Sequence, residues 1–455
     1  MSVTVEPKVQ KNEAPYPYHK TTLPNGVRVV TGPMTGVKSG TLIVSYSVGS
    51  RYEPAAISGV SHFLEHMLFK GTERRPDPKQ ISEEIEGVGG VLNAVTTREG
   101  TCFWFKAPSS HFTAGYDVLA DIMRNSTIDP GELDKERLVI LEEIRSIQDS
   151  PEELVHDVID EVVWGDQPIG RSIAGTEETV GGIDRETMVD FWQRNYEPSR
   201  LVIAAGGDVR HDDVVALTER YFGDLTEHPA PDERTDTVED QREARVRLIE
   251  RETEQAHLCL GMPALPYSTE RRYVQSTIEA ILSSGMSSRL FQEIREKRGL
   301  VYSVFGYFKP YADVGQGVLA AGTDLARVEE TVEALVGELR KLRDERVPED
   351  ELRRIKELRK GRLLMGFEDS RAVAAWIGSQ MGFEDSRAVA AWIGSQEATY
   401  GEIKSPEEVM AKIDAVTAEE VQDLARELFR PDRLNLALLG PYTDPQPFAR
   451  LLESL

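Results

Sequence analysis

The chain is poor in three things, and each shortage excludes a class of protein. Only two cysteines, Cys102 and Cys259, occur in 455 residues, and neither sits in a CxxC pair. A disulfide framework is therefore excluded and a reducing compartment fits. No apolar run approaches the roughly 20 residues that a membrane-spanning helix needs, and with 40% hydrophobic and 29% charged residues the composition is that of a globular protein. Positive charge is also scarce: 53 Lys and Arg face 78 Asp and Glu, a formal charge of −25. Nucleic acid, whose phosphates call for surplus Lys and Arg, is not an expected partner, and neither is a membrane. The acidity serves solubility first; an acidic cavity that attracts basic peptides is the sharper reading. The opening "MSVTVEPKVQKNEAPYPY" has no apolar core segment and no arginine, so residues 1–17 are expected to be a flexible tail on a cytoplasmic protein.

What is present is a long alternation of strand and helix signals. A chain of this length is expected to form two or more domains of roughly 200 residues. "YHKTTLPNGVRVVTGPM" places an Asn25-Gly26 turn between β-prone runs, a hairpin signal. A strand at "SGTLIVSYSVGS", two helices, a strand pair around "GGVLNAVTTREGTCFWFKAP" and helices from about Thr113 to Glu161 follow. Periodicity fails in "HPAPDERTDTVEDQREA", residues 228–244, which reads as a linker. Beyond it the pattern restarts with strands at "ARVRLIERE" and "QAHLCLGMPA", helices at "STERRYVQSTIEAILSS" and "SSRLFQEIREKRG", and the strand "LVYSVFGYF". The expected class is α+β, with two homologous domains, 18–227 and 245–455, each a mainly antiparallel sheet packed against helices.

One stretch breaks the pattern. "MGFEDSRAVAAWIGSQ" occurs twice in tandem, at 365–380 and 381–396. Sixteen residues turn a helix face by about 160°, so the two copies cannot both present one apolar face to one core. One copy is expected to dock and the other to loop out or extend a helix.

The stretch richest in chemistry is "SGVSHFLEHMLFKGT", Ser58 to Thr72. At 100° per residue Val60, Phe63, Leu64, Met67 and Leu68 share one arc, while His62, Glu65, His66 and Phe69 lie opposite. A core histidine would sit among the apolar positions; these two do not. At i and i+4 both imidazoles can bind one zinc ion, and Glu65 is placed to reach a water rather than the metal. The order is HxxEH, a zinc peptidase signature. A catalytic zinc needs a third protein ligand. In "DKERLVILEEIRSIQ" Glu136, Val139, Ile140, Glu143 and Ile147 share a helical face, and two carboxylates among apolar residues need a partner. Arg137 and Arg145 point elsewhere on the wheel, and Glu142 reads as a surface charge. Glu143 is the expected third ligand and Glu136 a partner that orients a ligand histidine.

These segments resemble the pitrilysin/insulinase family of zinc metallopeptidases, the inverzincins, and most closely its mitochondrial-processing-peptidase-like branch. The likeness runs from the Asn25 hairpin to "IDAVTAEEVQDLA". It implies a zinc endopeptidase with one zinc ion per chain, cutting peptides or unfolded segments in a closed chamber, with Glu65 activating the water. It also implies that Asn93 and Ala94 in "GGVLNAVTTREGT" hold substrate backbone at a sheet edge; a simple turn bond by Asn93 is the plainer reading. In "EIREKRGLVYSV" the family's Arg…Tyr motif falls on Arg295 and Tyr302, which would bind substrate and stabilise its carbonyl oxygen. Because one chain carries both motifs, the resemblance implies a homodimer with composite sites. The alternatives are a non-catalytic scaffold of the same fold and a catalytic subunit that needs a separate partner.

Overall fold

The computed structural model describes residues 10–11, 18–229, 231–366 and 394–455. Most of the tandem repeat lies outside these residues, and with it the expectation about docking and looping out.

In chain order the first elements are β1 (Gln10–Lys11), β2 (His19–Thr22), β3 (Arg28–Pro33), β4 (Ser39–Tyr46), α1 (Val60–Leu68), α2 (Pro78–Glu86), β5 (Val91–Thr96), β6 (Thr101–Pro108), α3 (Phe112–Asn125), α4 (Pro130–Asp149), α5 (Pro151–Trp164) and β7 (Leu201–Gly207). Local chemistry sets several of their starts. Asp77 caps α2 by accepting from the Lys79 amide, and Pro78 and Pro151 occupy first turns where a missing N–H costs nothing. The hairpin β2–β3 turns at Asn25-Gly26, with Gly26 at φ 95°, open to glycine. The strands form one sheet in the order β1-β2-β3-β7-β4-β6-β5. Alternation fixes its two faces. Leu42 and Val44 of β4 join Phe103 and Phe105 under α1 and α3, while Ile43 turns to the opposite face with Trp104, Val202 and Ile403.

The later strands are β8 (Arg245–Glu250), β9 (Gln255–Ala264), β10 (Val301–Pro310), β11 (Gly315–Asp324) and β12 (Asn435–Gly440), in a second sheet ordered β10-β11-β9-β12-β8. Taken from its other edge, β8-β12-β9-β11-β10 repeats β3-β7-β4-β6-β5 pairing for pairing. In each set the first pair is parallel, β3 with β7 and β8 with β12. Two α+β domains of one topology therefore make up the chain.

The domains are not simply successive halves. One compact unit takes the chain up to Ile144, Ser172–Thr235 and Arg362–Ser405; the other takes Arg145–Arg171, Asp236–Gly361 and Pro406–Leu455. A crossing at 235/236 falls in the stretch read as a linker, but the chain also crosses at 144/145, 171/172, 361/362 and 405/406. The cause of the early excursion is the apolar stripe of α5: Val155, Val158, Ile159 and Val163 are buried with Cys259, Val318, Ala437 and Leu439 of the later sheet. That burial decides where α5 belongs, whatever its neighbours in sequence.

Candidate metal centre

The helix α1 is held at its start by a buried carboxylate. Glu53, 3% exposed, accepts from the amides of Gly59 at 2.7 Å and Ser61 at 2.8 Å, a negative group at the positive end of a helix. Gly59 has φ 96°, and a Cβ there would stand 2.6 Å from the Ala174 carbonyl oxygen, so only glycine fits. Along α1 the arc Val60, Phe63, Leu64, Met67 and Leu68 is wholly buried. His62, Glu65 and His66 remain partly exposed.

The helix α4 brings its carboxylates to that face. Glu143 Oε1 lies 3.7 Å from His62 Nε2, and Glu143 Oε2 lies 4.0 Å from His66 Nε2. One donor atom from each of His62, His66 and Glu143 falls within 4.8 Å of the others. Glu136 approaches from one side: its Oε1 is 2.9 Å from His66 Nδ1 and its Oε2 is 2.6 Å from Lys70 Nζ. Arg137 points away, donating to the Val180 carbonyl and resting its guanidinium 5.5 Å from the Phe63 ring.

A zinc ion fits this donor set. Bonds of about 2.0–2.1 Å in a tetrahedron put donors about 3.4 Å apart, so only a small contraction is needed. Burial, and then the charge of His66, pull the His62 imidazole down to about 4, so it is neutral and carries a free lone pair. Among the described residues its buried Nδ1 has no hydrogen-bond partner. Burial pulls His66 down too, but the hydrogen bond to Glu136 and the charges of Glu65, Glu136 and Glu143 outweigh it and raise the value. An imidazole pushed toward the cationic form by three carboxylates marks a place built for positive charge. Burial raises the Glu65 carboxyl, opposed by its hydrogen bonds with Thr96. Glu136 is pushed up by burial yet ends below the usual carboxylate range through His66 and Lys70.

The other candidates lie as follows. Asn93 and Ala94 are half-buried on β5, an end strand of its sheet that, among the described residues, pairs with β6 alone. Asn93 Oδ1 accepts from the amide of the next residue in the strand, Ala94, at 2.7 Å. In the second unit, Arg295 sits in a π-helical turn, Phe291–Lys297, its guanidinium 5.1 Å from the Tyr302 ring and 4.9 Å from the Phe291 ring. Tyr302 is 80% exposed at the start of β10. Gly299, at φ 55°, stops the turn, and Arg298 pairs with Glu293. Three residues of the site escaped the sequence reading: Glu53, Lys70 and Thr96. Only Lys70 left a signal, since it follows His66 by one turn.

An HxxEH helix faced by a remote carboxylate is the arrangement of the inverzincin class of zinc peptidases. The chain belongs to the insulinase family, peptidase family M16: that family's model matches residues 28–177, and a model described as the peptidase M16 inactive domain matches residues 182–359. A Streptomyces coelicolor protein described as an uncharacterized zinc protease is 37% identical over 434 residues, 94% of this chain and 90% of that protein. A Bacillus subtilis protein of the same description is 35% identical over 420 residues, 92% of this chain and 97% of its own. Among solved structures, a protease from Helicobacter pylori covers 96% of this chain and 100% of its own, with TM-score 0.83 and 22% identity. A Pseudomonas fluorescens structure described as a peptidase M16 inactive domain covers 96% and 99%, with TM-score 0.82 and 18% identity. At such identities these structures establish the shared fold. No helix among the described residues is long and apolar enough to cross a membrane.

Proposed function

We propose that the chain is a zinc-dependent endopeptidase in which His62, His66 and Glu143 hold one metal ion, Glu65 is the general base and Glu136 orients His66. The observation that carries this reading is the convergence of three donor atoms from two distant helices within 4.8 Å. Zinc supplies Lewis acidity there, polarising a carbonyl and making a neighbouring water acidic near neutral pH. Glu65 takes the proton from the attacking water and returns it to the leaving amine nitrogen. The open edge of β5, with Asn93 and Ala94, offers backbone groups to an extended peptide. Arg295 and Tyr302 supply a cation and a hydroxyl for the substrate and its carbonyl oxygen. Unfolded peptides, basic ones preferred, are the proposed substrates, and a homodimer the proposed assembly, to be read from the mass of the purified protein.

The competing reading is a scaffold that has kept the fold without the activity. Metal analysis together with cleavage of a mixed peptide library separates the two. Wild type and Glu65→Gln should each hold one zinc per chain, and only wild type should cleave. Zinc-loaded wild type that cleaves nothing would establish the scaffold.

A further inference from the structure

The end of strand β5 reaches the candidate base directly. Thr96 Oγ1 donates to Glu65 Oε2, and the Thr96 backbone amide adds to the hold on the same carboxylate. Thr96 itself is 9% exposed and pairs across the hairpin with Thr101. The turn beyond it is tied down: the amides of Ser50 and Arg51 donate to the carbonyls of Thr97 and Arg98 at 3.1 and 2.9 Å. The closeness of that contact shows at Gly49, where a Cβ would meet the Thr97 oxygen at 2.1 Å. The hydroxyl is therefore carried by a rigid platform rather than by a free loop.

We propose that Thr96 is a positioning residue for Glu65, holding the carboxylate in the orientation from which it takes a proton from water. The physical case is preorganisation. A glutamate side chain loses rotamer freedom when it is fixed, and a base left free must be ordered again at every turnover. A hydroxyl donating to a carboxylate makes a charge-assisted bond, stronger than a neutral one. The strand that aligns the base also offers its open edge to substrate, so seating a peptide and aligning the proton acceptor draw on one element. The inference rests on the peptidase reading above.

The test is steady-state kinetics with a cleaved peptide, alongside zinc content and thermal melting. Thr96→Val keeps the shape and removes the donor. It should lower kcat roughly 10–100-fold, as misplacement of a general base does, with KM, zinc content and melting temperature close to wild type. Thr96→Ser keeps the donor and should recover most of kcat; if Thr96→Val is insoluble, Thr96→Ala makes the same comparison against Thr96→Ser. Wild-type kcat in the hydroxyl-free variant overturns the proposal, as does a loss confined to KM or to zinc content. Glu65→Gln separates the levels: inactive Glu65→Gln beside fully active Thr96→Val sinks only the role of Thr96, active Glu65→Gln sinks Glu65 as the base, and zinc-loaded wild type that cleaves nothing sinks the peptidase reading itself.

Discussion

Replacing Glu136 with glutamine removes one charge and one acceptor from a relay of defined dimensions. Glu136 serves two donors at once, His66 Nδ1 at 2.9 Å and Lys70 Nζ at 2.6 Å, with its side chain only 9% exposed. Glutamine has a single carbonyl oxygen, so its NH2 must face either the imidazole N–H or the ammonium, donor against donor. Both arrangements weaken the bond that keeps the His66 ring turned with Nε2 toward Glu143. Changes to a carboxylate that orients a metal-binding histidine cost about 10–100-fold in affinity, or about 1.4–2.8 kcal/mol. The expected result for Glu136→Gln is a zinc dissociation constant raised by that factor, read by competition with a chromophoric chelator, with the circular dichroism spectrum unchanged. Zinc affinity equal to wild type would refute the reasoning, because it would show that His66 needs no carboxylate behind it.

Two further outcomes follow from packing within each unit. Asp117 bonds to Arg74, Arg75 and Tyr221; burial pushes its carboxyl up, but these partners outweigh burial and depress it well below its ordinary value of 3.8. A carboxylate depressed on folding adds stability that is present above its unfolded value and lost as pH falls through the folded one, so Asp117→Asn should flatten the fall of melting temperature with acid below about pH 4. Equal slopes in the two proteins would remove Asp117 from the acid response. Ile159 of α5 is 0% exposed among residues of the later sheet, so Ile159→Ala should cost about 2–5 kcal/mol in denaturant unfolding. It should also speed hydrogen exchange in β9; protection there unchanged would contradict the assignment of α5 to that sheet.

The parts of the site that could be read in the sequence are those governed by local geometry. The 3.6-residue period alone separated His62, Glu65 and His66 from the apolar arc of α1. The same period put Glu136 and Glu143 on one face of α4, but only Glu136 is buried there; Glu143 and Val139 are exposed, so the cost of burying a carboxylate bears on Glu136 and not on Glu143. Strand pattern likewise located β9 at "QAHLCLGMPA" and the hairpin at Asn25-Gly26. What escaped depends on long-range approach. Thr96 meets Glu65 across 31 positions, and no spacing rule links a strand end to a helix face. The sequence places a helix at α5 but does not say which sheet covers it. The segment "SSRLFQEIREKRG" gave a helix signal, yet its Phe291–Lys297 portion winds as a π-helical turn, a difference in hydrogen-bond register that side-chain periodicity does not record.

The repeated crossings of the chain have a practical corollary for dissection. A cut made at the charged stretch after residue 227 would strand α5 on the amino-terminal fragment, with Val155, Ile159 and Val163 stripped of their covering strands. Such a piece would present a sticky apolar ridge to water and seek other copies of itself. Neither lobe can be excised by a single scissor stroke; each would have to be rebuilt by permutation.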